Sequence, residues 1–212
     1  MAMSTPAPRV LADAIPGSVA RDVVLVLGGA AFVGLAAQVV IPLPFTPVPI
    51  TGQTFAVLMV GAALGTVRGL LSMAVYLLAG LVGVPWFASG SSAFTEGVLV
   101  ASFGYVVGFV LAGALVGWLA ERGWTRTPWH TAGAFILGNV VIYAVGVTWL
   151  KFALSASWSS AFDWGLTPFL GGDALKIALA AGLFPAAWLG LRKLGLAPRE
   201  DQPRPDQQSA NA

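Results

Sequence analysis

Thr167-Pro-Phe-Leu-Gly-Gly-Asp173-Ala-Leu-Lys176 opens the last apolar segment of the chain and sets a carboxylate and an ammonium three residues apart at its mouth. Positions i and i+3 share a helix face, so Asp173 and Lys176 point the same way. Pro168 and the Gly171–Gly172 pair break the chain just before, which leaves Asp173 to cap the free N–H groups of a new helix. Beyond the pair the run is mostly Leu, Ile, Ala and Gly, and charges at the edge of a membrane segment are costly unless paired or used. Spacing alone leaves two readings level. One is a capping Asp beside a Lys that snorkels to the interface; the other is a ligand site.

Working outward, the composition is 57% hydrophobic and only 9% charged, with mean hydropathy +0.82, whereas soluble domains carry about 25% charged residues. This predicts an all-α integral membrane protein. A chain of 212 residues has room for about six spans of ~20 residues. Apolar runs at 23–41, 51–65, 69–84, 98–120, 131–154 and 173–191 supply them. The first run is too long for the apolar core of a signal peptide and lacks a small-residue cleavage site before Pro42. The expected organisation is a segment 1–22 ahead of a six-helix bundle 23–191, then a charged, Pro- and Gln-rich disordered tail 192–212.

Six spans place both termini on one side. Arg9, Arg21, Arg68, Arg122, Arg126, Arg192, Lys193, Arg199 and Arg204 fall there, and only Lys151 and Lys176 fall toward the other. The positive-inside rule makes the terminus-bearing side cytoplasmic. Trp118, Trp124, Trp129 and Trp188 near inner ends, with Trp86, Trp149, Trp158 and Trp164 near outer ones, fit an interfacial belt. In the fourth span Gly104-x-x-x-Gly108 and Gly113-x-x-x-Gly117 lie about half a turn out of phase, so that helix is expected to pack closely on two sides. Ala30-x-x-x-Gly34 gives the first span a small face, for internal packing or an external helix.

The unusual residues gather on the outer side. Pro42-Leu-Pro-Phe-Thr-Pro-Val-Pro49 is stiff and extended and leads into Thr51-Gly-Gln53-Thr54. The second outer loop, Pro85 to Glu96, mixes Phe87 with small polar residues such as Ser89. The third carries Asp163, Trp164, Phe169 and the Asp173/Lys176 pair. Aromatic walls with a few convergent polar groups describe a small-molecule pocket.

Other chemistries are excluded by residue counts. The chain has no cysteine, which removes disulfides, thiol catalysis and thiolate metal sites. A lone His130 cannot build a histidine metal site. None of the three lysines follows a P-loop pattern, so there is no ATP site. A net charge of +2 does not suggest a nucleic-acid partner. An intramembrane serine hydrolase would need a Ser–His dyad, but His130 falls in an inner loop and the serine-rich loop outside.

Ile41-Pro-Leu-Pro-Phe-Thr-Pro-Val-Pro-Ile-Thr-Gly-Gln-Thr54, Leu64-Gly-Thr-Val-Arg-Gly69, Tyr76-Leu-Leu-Ala-Gly80, Gly83-Val-Pro-Trp-Phe-Ala88, Gly104-Tyr-Val-Val-Gly-Phe109 and Pro168-Phe-Leu-Gly-Gly-Asp-Ala-Leu-Lys176 together resemble the BioY family. Its members are the biotin-binding membrane components of energy-coupling-factor transporters. The resemblance runs through nearly all of 23–191. It implies a six-helix subunit, not an enzyme and without a cofactor, that captures biotin near the outer face of the cell membrane. A transmembrane coupling subunit and two ATPase subunits would power uptake. It also implies that the family's Gly-Asp-x-x-Lys motif, here Gly172, Asp173 and Lys176, binds biotin, and that Ala30 and Gly34 meet the coupling subunit. Gly34 stands where the family usually has alanine. Before Tyr105 the family usually reads Gly-Pro-Thr-Gly-Gly, where this chain has Val-Ala-Ser-Phe-Gly.

The expected binding set is Asp173, Lys176, Gln53, Phe87, Ser89, Tyr105 and Trp164. Lys176 is expected to meet the biotin carboxylate and Asp173 to accept from the ureido N–H groups. The alternatives are a different vitamin or small hydrophobic ligand on the same scaffold, or an intramembrane enzyme, which the placement of His130 disfavours.

Overall fold

The apolar runs become six long helices joined by short connections, and the computed structural model describes residues 9–15 and 17–197. In order they are α1 (Val19–Ala36), a hairpin of strands β1 (Val40–Ile41) and β2 (Ile50–Thr51), then α2 (Gln53–Leu64) and α3 (Thr66–Leu81). A second small hairpin, β3 (Phe94–Thr95) and β4 (Val98–Leu99), precedes α4 (Phe103–Glu121). Then come α5 (Pro128–Ala153), a short α6 (Trp158–Gly165) and α7 (Leu170–Lys193).

Helices α1, α4 and α5 are long and apolar enough to cross a membrane, as is α7 with the segment leading into it. The two hairpins explain where helices stop short of the apolar runs. Val40 pairs with Thr51 and Ile41 with Ile50, so α1 ends at Ala36 and not at residue 41. Phe94 pairs with Leu99, so α4 starts at Phe103 and not at residue 98. At 12 residues, α2 rises about 18 Å, well short of a ~30 Å hydrocarbon core; the remainder of its path is the Pro-rich hairpin.

Helix α4 is the hub, packed on α5, α3 and α2, with α1 against α3 and α7 against α5. Its glycines do what their phase predicts. Gly104 and Gly108 face Trp149, Val145 and Ile142 of α5, while Gly113 and Gly117 face Met73, Gly69 and Gly65. Gly61 on α2 lies so close to α4 that a Cβ there would sit 2.5 Å from the Gly113 carbonyl oxygen. The α2–α3 turn needs Gly65 because its φ is +87°, a region closed to most side chains. Glu121 of α4 then accepts from the Thr66 amide at 2.7 Å, holding the start of α3.

Residues 9–15, ahead of α1, fold against the bundle. Leu11–Ala14 form a 3-10 turn, Val10 and Ala12 are buried, and the turn touches α7. Arg68 clamps it, with Nη1 3.0 Å from Asp13 and Nε 3.0 Å from Asp22. The described chain therefore begins and ends at one end of the bundle. Most of the expected tail 192–212 lies outside the described residues.

The tryptophan belt is only partly a belt. Trp118, Trp129 and Trp158 are exposed, whereas Trp86, Trp149 and Trp188 spend their indole N–H groups on Tyr76, Val100 and Thr125 inside the protein.

The Ala30–Gly34 face is also internal. Ala30 is 1% exposed, Gly34 is buried, and a Cβ on Gly34 would meet Trp86 at 3.3 Å. In this fold both positions therefore pack against the chain's own residues.

Candidate functional site: a polar cavity at the far end of the bundle

The cavity lies toward the end of the bundle opposite the termini. Gln53 stands about 18 Å along α2 from its terminus-bearing end, and Lys176 about 26 Å along α7 from Lys193. The cavity is narrow in this structure, about 40 Å³, and opens at its mouth. Six segments contribute. The first hairpin brings Val48, Pro49 and Thr51; the start of α2 brings Gln53 and Thr54; the loop after α3 brings Phe87 and Ala88. The start of α4 brings Ser102, Tyr105, Val106 and Phe109, and Tyr143, Phe169 and Lys176 close the wall from α5 and the α7 side.

Asp173 does not cap α7. The helix begins at Leu170, through the two glycines, so Asp173 lies inside its first turn, where the positive end of the helix dipole favours a carboxylate. Its side chain is only 6% exposed and meets Lys176 Nζ at 3.1 Å. The other carboxylate oxygen accepts from the Tyr143 hydroxyl. Lys176 also donates to the Thr54 hydroxyl at 2.8 Å and the Thr51 carbonyl at 3.2 Å. All three ammonium hydrogens thus have acceptors, and the pair as a whole is neutral. A snorkelling lysine would reach for the interface; this one reaches inward.

A second polar chain backs the cavity. The Gln53 amide donates to Tyr76 Oη at 2.7 Å, and Tyr76 donates to the Trp86 carbonyl at 3.0 Å. The Thr51 hydroxyl donates to Gln53 Oε1 at 3.0 Å. Tyr105 donates to the Gly165 carbonyl at 2.8 Å, and its ring fits against Gly146, where a Cβ would strike it. Gln38 secures the Phe87 loop by donating to the Trp86 and Phe87 carbonyls at 3.3 and 3.2 Å.

Of the expected residues, Lys176, Gln53, Phe87 and Tyr105 line the cavity and Asp173 braces Lys176 from behind. Ser89 and Trp164 are not brought to it. Ser89 is exposed in a turn at φ 59°, and its neighbour Ala88 faces the cavity instead. Trp164 contributes its carbonyl, which accepts from Thr46 at 2.7 Å and ties the Pro-rich hairpin to α6. Tyr143 and Thr54 were absent from the expected set. A hydroxyl in the middle of the fifth apolar run, four residues after Asn139, was the available sign for Tyr143.

With this geometry in view, the chain can be set beside known proteins. The model of the BioY family matches residues 5–193. A protein named probable biotin transporter BioY, from Lysinibacillus sphaericus, is 36% identical over 76% of this chain and 83% of its own length. The biotin transporter BioY of Rhizobium etli is 34% identical over 80% of this chain and 94% of its own. A crystal structure at 2.1 Å of the S-component for biotin from an ECF-type ABC transporter superposes with a TM-score of 0.68 at 23% identity. It covers 82% of this chain and 92% of that one, a likeness that shows the fold. The apolar six-helix bundle, the polar cavity at its far end and a family match over almost its whole length give one conclusion: this chain is a multi-pass membrane protein of the BioY family.

Proposed function

We propose that the protein binds biotin in the far-end cavity and delivers it to an energy-coupling-factor transporter, in which a coupling subunit and two ATPase subunits supply the energy. The observation that carries this reading is the buried Asp173–Lys176 pair, braced by Tyr143 and set in an aromatic wall. The names of the relatives support it. The protein acts by binding and needs no cofactor of its own.

We infer a ligand orientation opposite to the expected one. A second carboxylate beside buried Asp173 would be repelled by it, and Lys176 already neutralises one carboxylate. A ureido ring has no such conflict. Its carbonyl can replace the Thr51 carbonyl as an acceptor on Lys176, an exchange of like for like. Asp173, behind Lys176, holds the ammonium in place for that contact. The ureido head therefore sits against the pair and the carboxylate lies toward the mouth, with Phe87, Phe109 and Phe169 covering the apolar middle.

The test is to purify the protein in detergent and identify any co-purifying small molecule by mass spectrometry, then titrate the emptied protein with biotin by calorimetry. One biotin per chain is expected. Recovery of another vitamin, with no heat from biotin, would overturn the assignment and favour a different ligand on this scaffold.

The orientation in the cell membrane, termini toward the cytoplasm, rests on the basic residues at that end. The chain contains no cysteine, so single cysteines give a clean readout. Those replacing Ser91 and Ser159 should label with an impermeant thiol reagent in intact cells, and one replacing Thr127 should not. A further position of the same kind, Ser4, lies outside the described residues. External labelling at Thr127 would invert the orientation.

A further inference from the structure

Tyr143 faces two spaces. Its ring borders the ligand cavity, and it also borders a shallow groove on the outside of the bundle between α5 and α6. Ala144 and Thr148 form one wall of that groove, Trp158 and Phe162 the other, and buried Val147 lies at its floor. Val140, Ala144, Val147 and Thr148 share one face of α5 by their i, i+4, i+7/i+8 spacing. The groove starts about 7 Å below the far end of α5 and runs about 12 Å further down. Because 26 residues of α5 rise about 39 Å against a ~30 Å core, this depth belongs to hydrocarbon and not to water.

At the upper end of the groove sits Lys151, one of two cations toward the far end. Its ammonium lies 5.3 Å from the Trp158 ring and 4.6 Å from the Phe152 ring. Among the described residues its side chain makes no ion pair. A cation held over the upper wall of an apolar groove, at the height where chains give way to headgroups, matches one kind of molecule.

We propose that this groove binds a phospholipid of the far-side leaflet, one acyl chain lying between α5 and α6 and its phosphate against Lys151. The chain packs on the back of Tyr143, whose hydroxyl holds Asp173, so the lipid is a buttress of the wall that Tyr143 gives the ligand cavity. The inference does not depend on which ligand that cavity takes.

The experiment reconstitutes the full chain in nanodiscs holding equal amounts of phosphatidylglycerol, phosphatidylethanolamine and a diacyl galactolipid with the same chains but no phosphate. The protein is then released into mild detergent for native mass spectrometry. One retained lipid per protein is expected, with each phospholipid favoured over the galactolipid by about fivefold, which is what roughly 1 kcal/mol per basic side chain near a headgroup amounts to. Ala144→Trp and, independently, Thr148→Trp fill the groove from exposed positions and should lose most of the retained lipid. Lys151→Gln should remove the preference for phosphate, and Lys151→Arg should restore it. Wild-type retention by either tryptophan variant would overturn the groove as the site. A preference unchanged by Lys151→Gln would overturn the phosphate contact.

Discussion

Asp173→Ala should lower biotin affinity by roughly two decades or more. The carboxylate accepts from both Lys176 and Tyr143, and its loss leaves the part-buried ammonium without its counter-ion. A hydrogen bond to a charged group is worth about 1.5–3 kcal/mol, and removing one partner of a buried pair costs about 3–5 kcal/mol. About 3 kcal/mol in binding is a factor of more than a hundred. Lys176→Gln keeps a donor and should cost about one to two decades. The two ends of the ligand are separated by repeating both titrations with biotin methyl ester. With the ureido head on the pair, acid and ester weaken equally in each variant. A loss confined to the acid in Lys176→Gln would place the carboxylate on Lys176 and overturn the orientation proposed here. The double variant Asp173→Leu/Lys176→Met removes both charges together; it should melt close to the wild type, because an apolar pair avoids the desolvation cost, yet bind neither ligand. That combination separates a binding role from a structural one.

Gly61→Leu should prevent the bundle from assembling in a stable form. Its Cβ would lie 2.5 Å from the Gly113 carbonyl oxygen and 3.1 Å from the Gly113 Cα, and a rotamer change cannot relieve contact with backbone. Forcing extra methylenes into a packed interior costs about 1–3 kcal/mol, occasionally more, and here the α2–α4 axis itself must widen. The control is Gly28→Ala on α1, where a Cβ would meet nothing within 4 Å. Alanine suits a helix better than glycine by about 1 kcal/mol, so this variant should melt at or above the wild-type temperature. Thermal unfolding in detergent, followed by gel-filtration recovery, reads both. A Gly61→Leu protein that survives heating as well as the wild type would show that α2 and α4 are not held by this contact.

Much of the fold was legible because the longer apolar runs have the length of a membrane helix, and because glycine phase carries the two faces of α4. The two hairpins and α6 were harder. Two-residue strands such as Val40–Ile41 continue an apolar run without any change of composition. The short α6 does carry a signature, Ser157 accepting from the Ser160 amide at its start, with Trp158 and Phe162 four apart. Ala30 and Gly34 show a deeper limit. Small-residue spacing says that something approaches closely, but lipid tails are as apolar as a protein interior, so hydrophobicity gives no sign of which side faces in. The site was half visible for a related reason. Charges such as Asp173 and Lys176 stand out in an apolar run, whereas Tyr143 and Thr54 become site residues only when α5, α2 and α7 converge.

The unequal helices leave the bundle with a lopsided waist. On one flank α3, lipid-facing through Val67, Leu71 and Leu78, spans 16 residues, or about 24 Å; on another α5 spans about 39 Å. A flat bilayer of constant thickness cannot match both, and each ångström of mismatch costs a fraction of a kcal/mol. The membrane must pinch beside α3 or the whole body must lean until both flanks fit. Where the body leans, bilayer thickness contributes to its tilt, and with it to the direction in which the mouth of the cavity points.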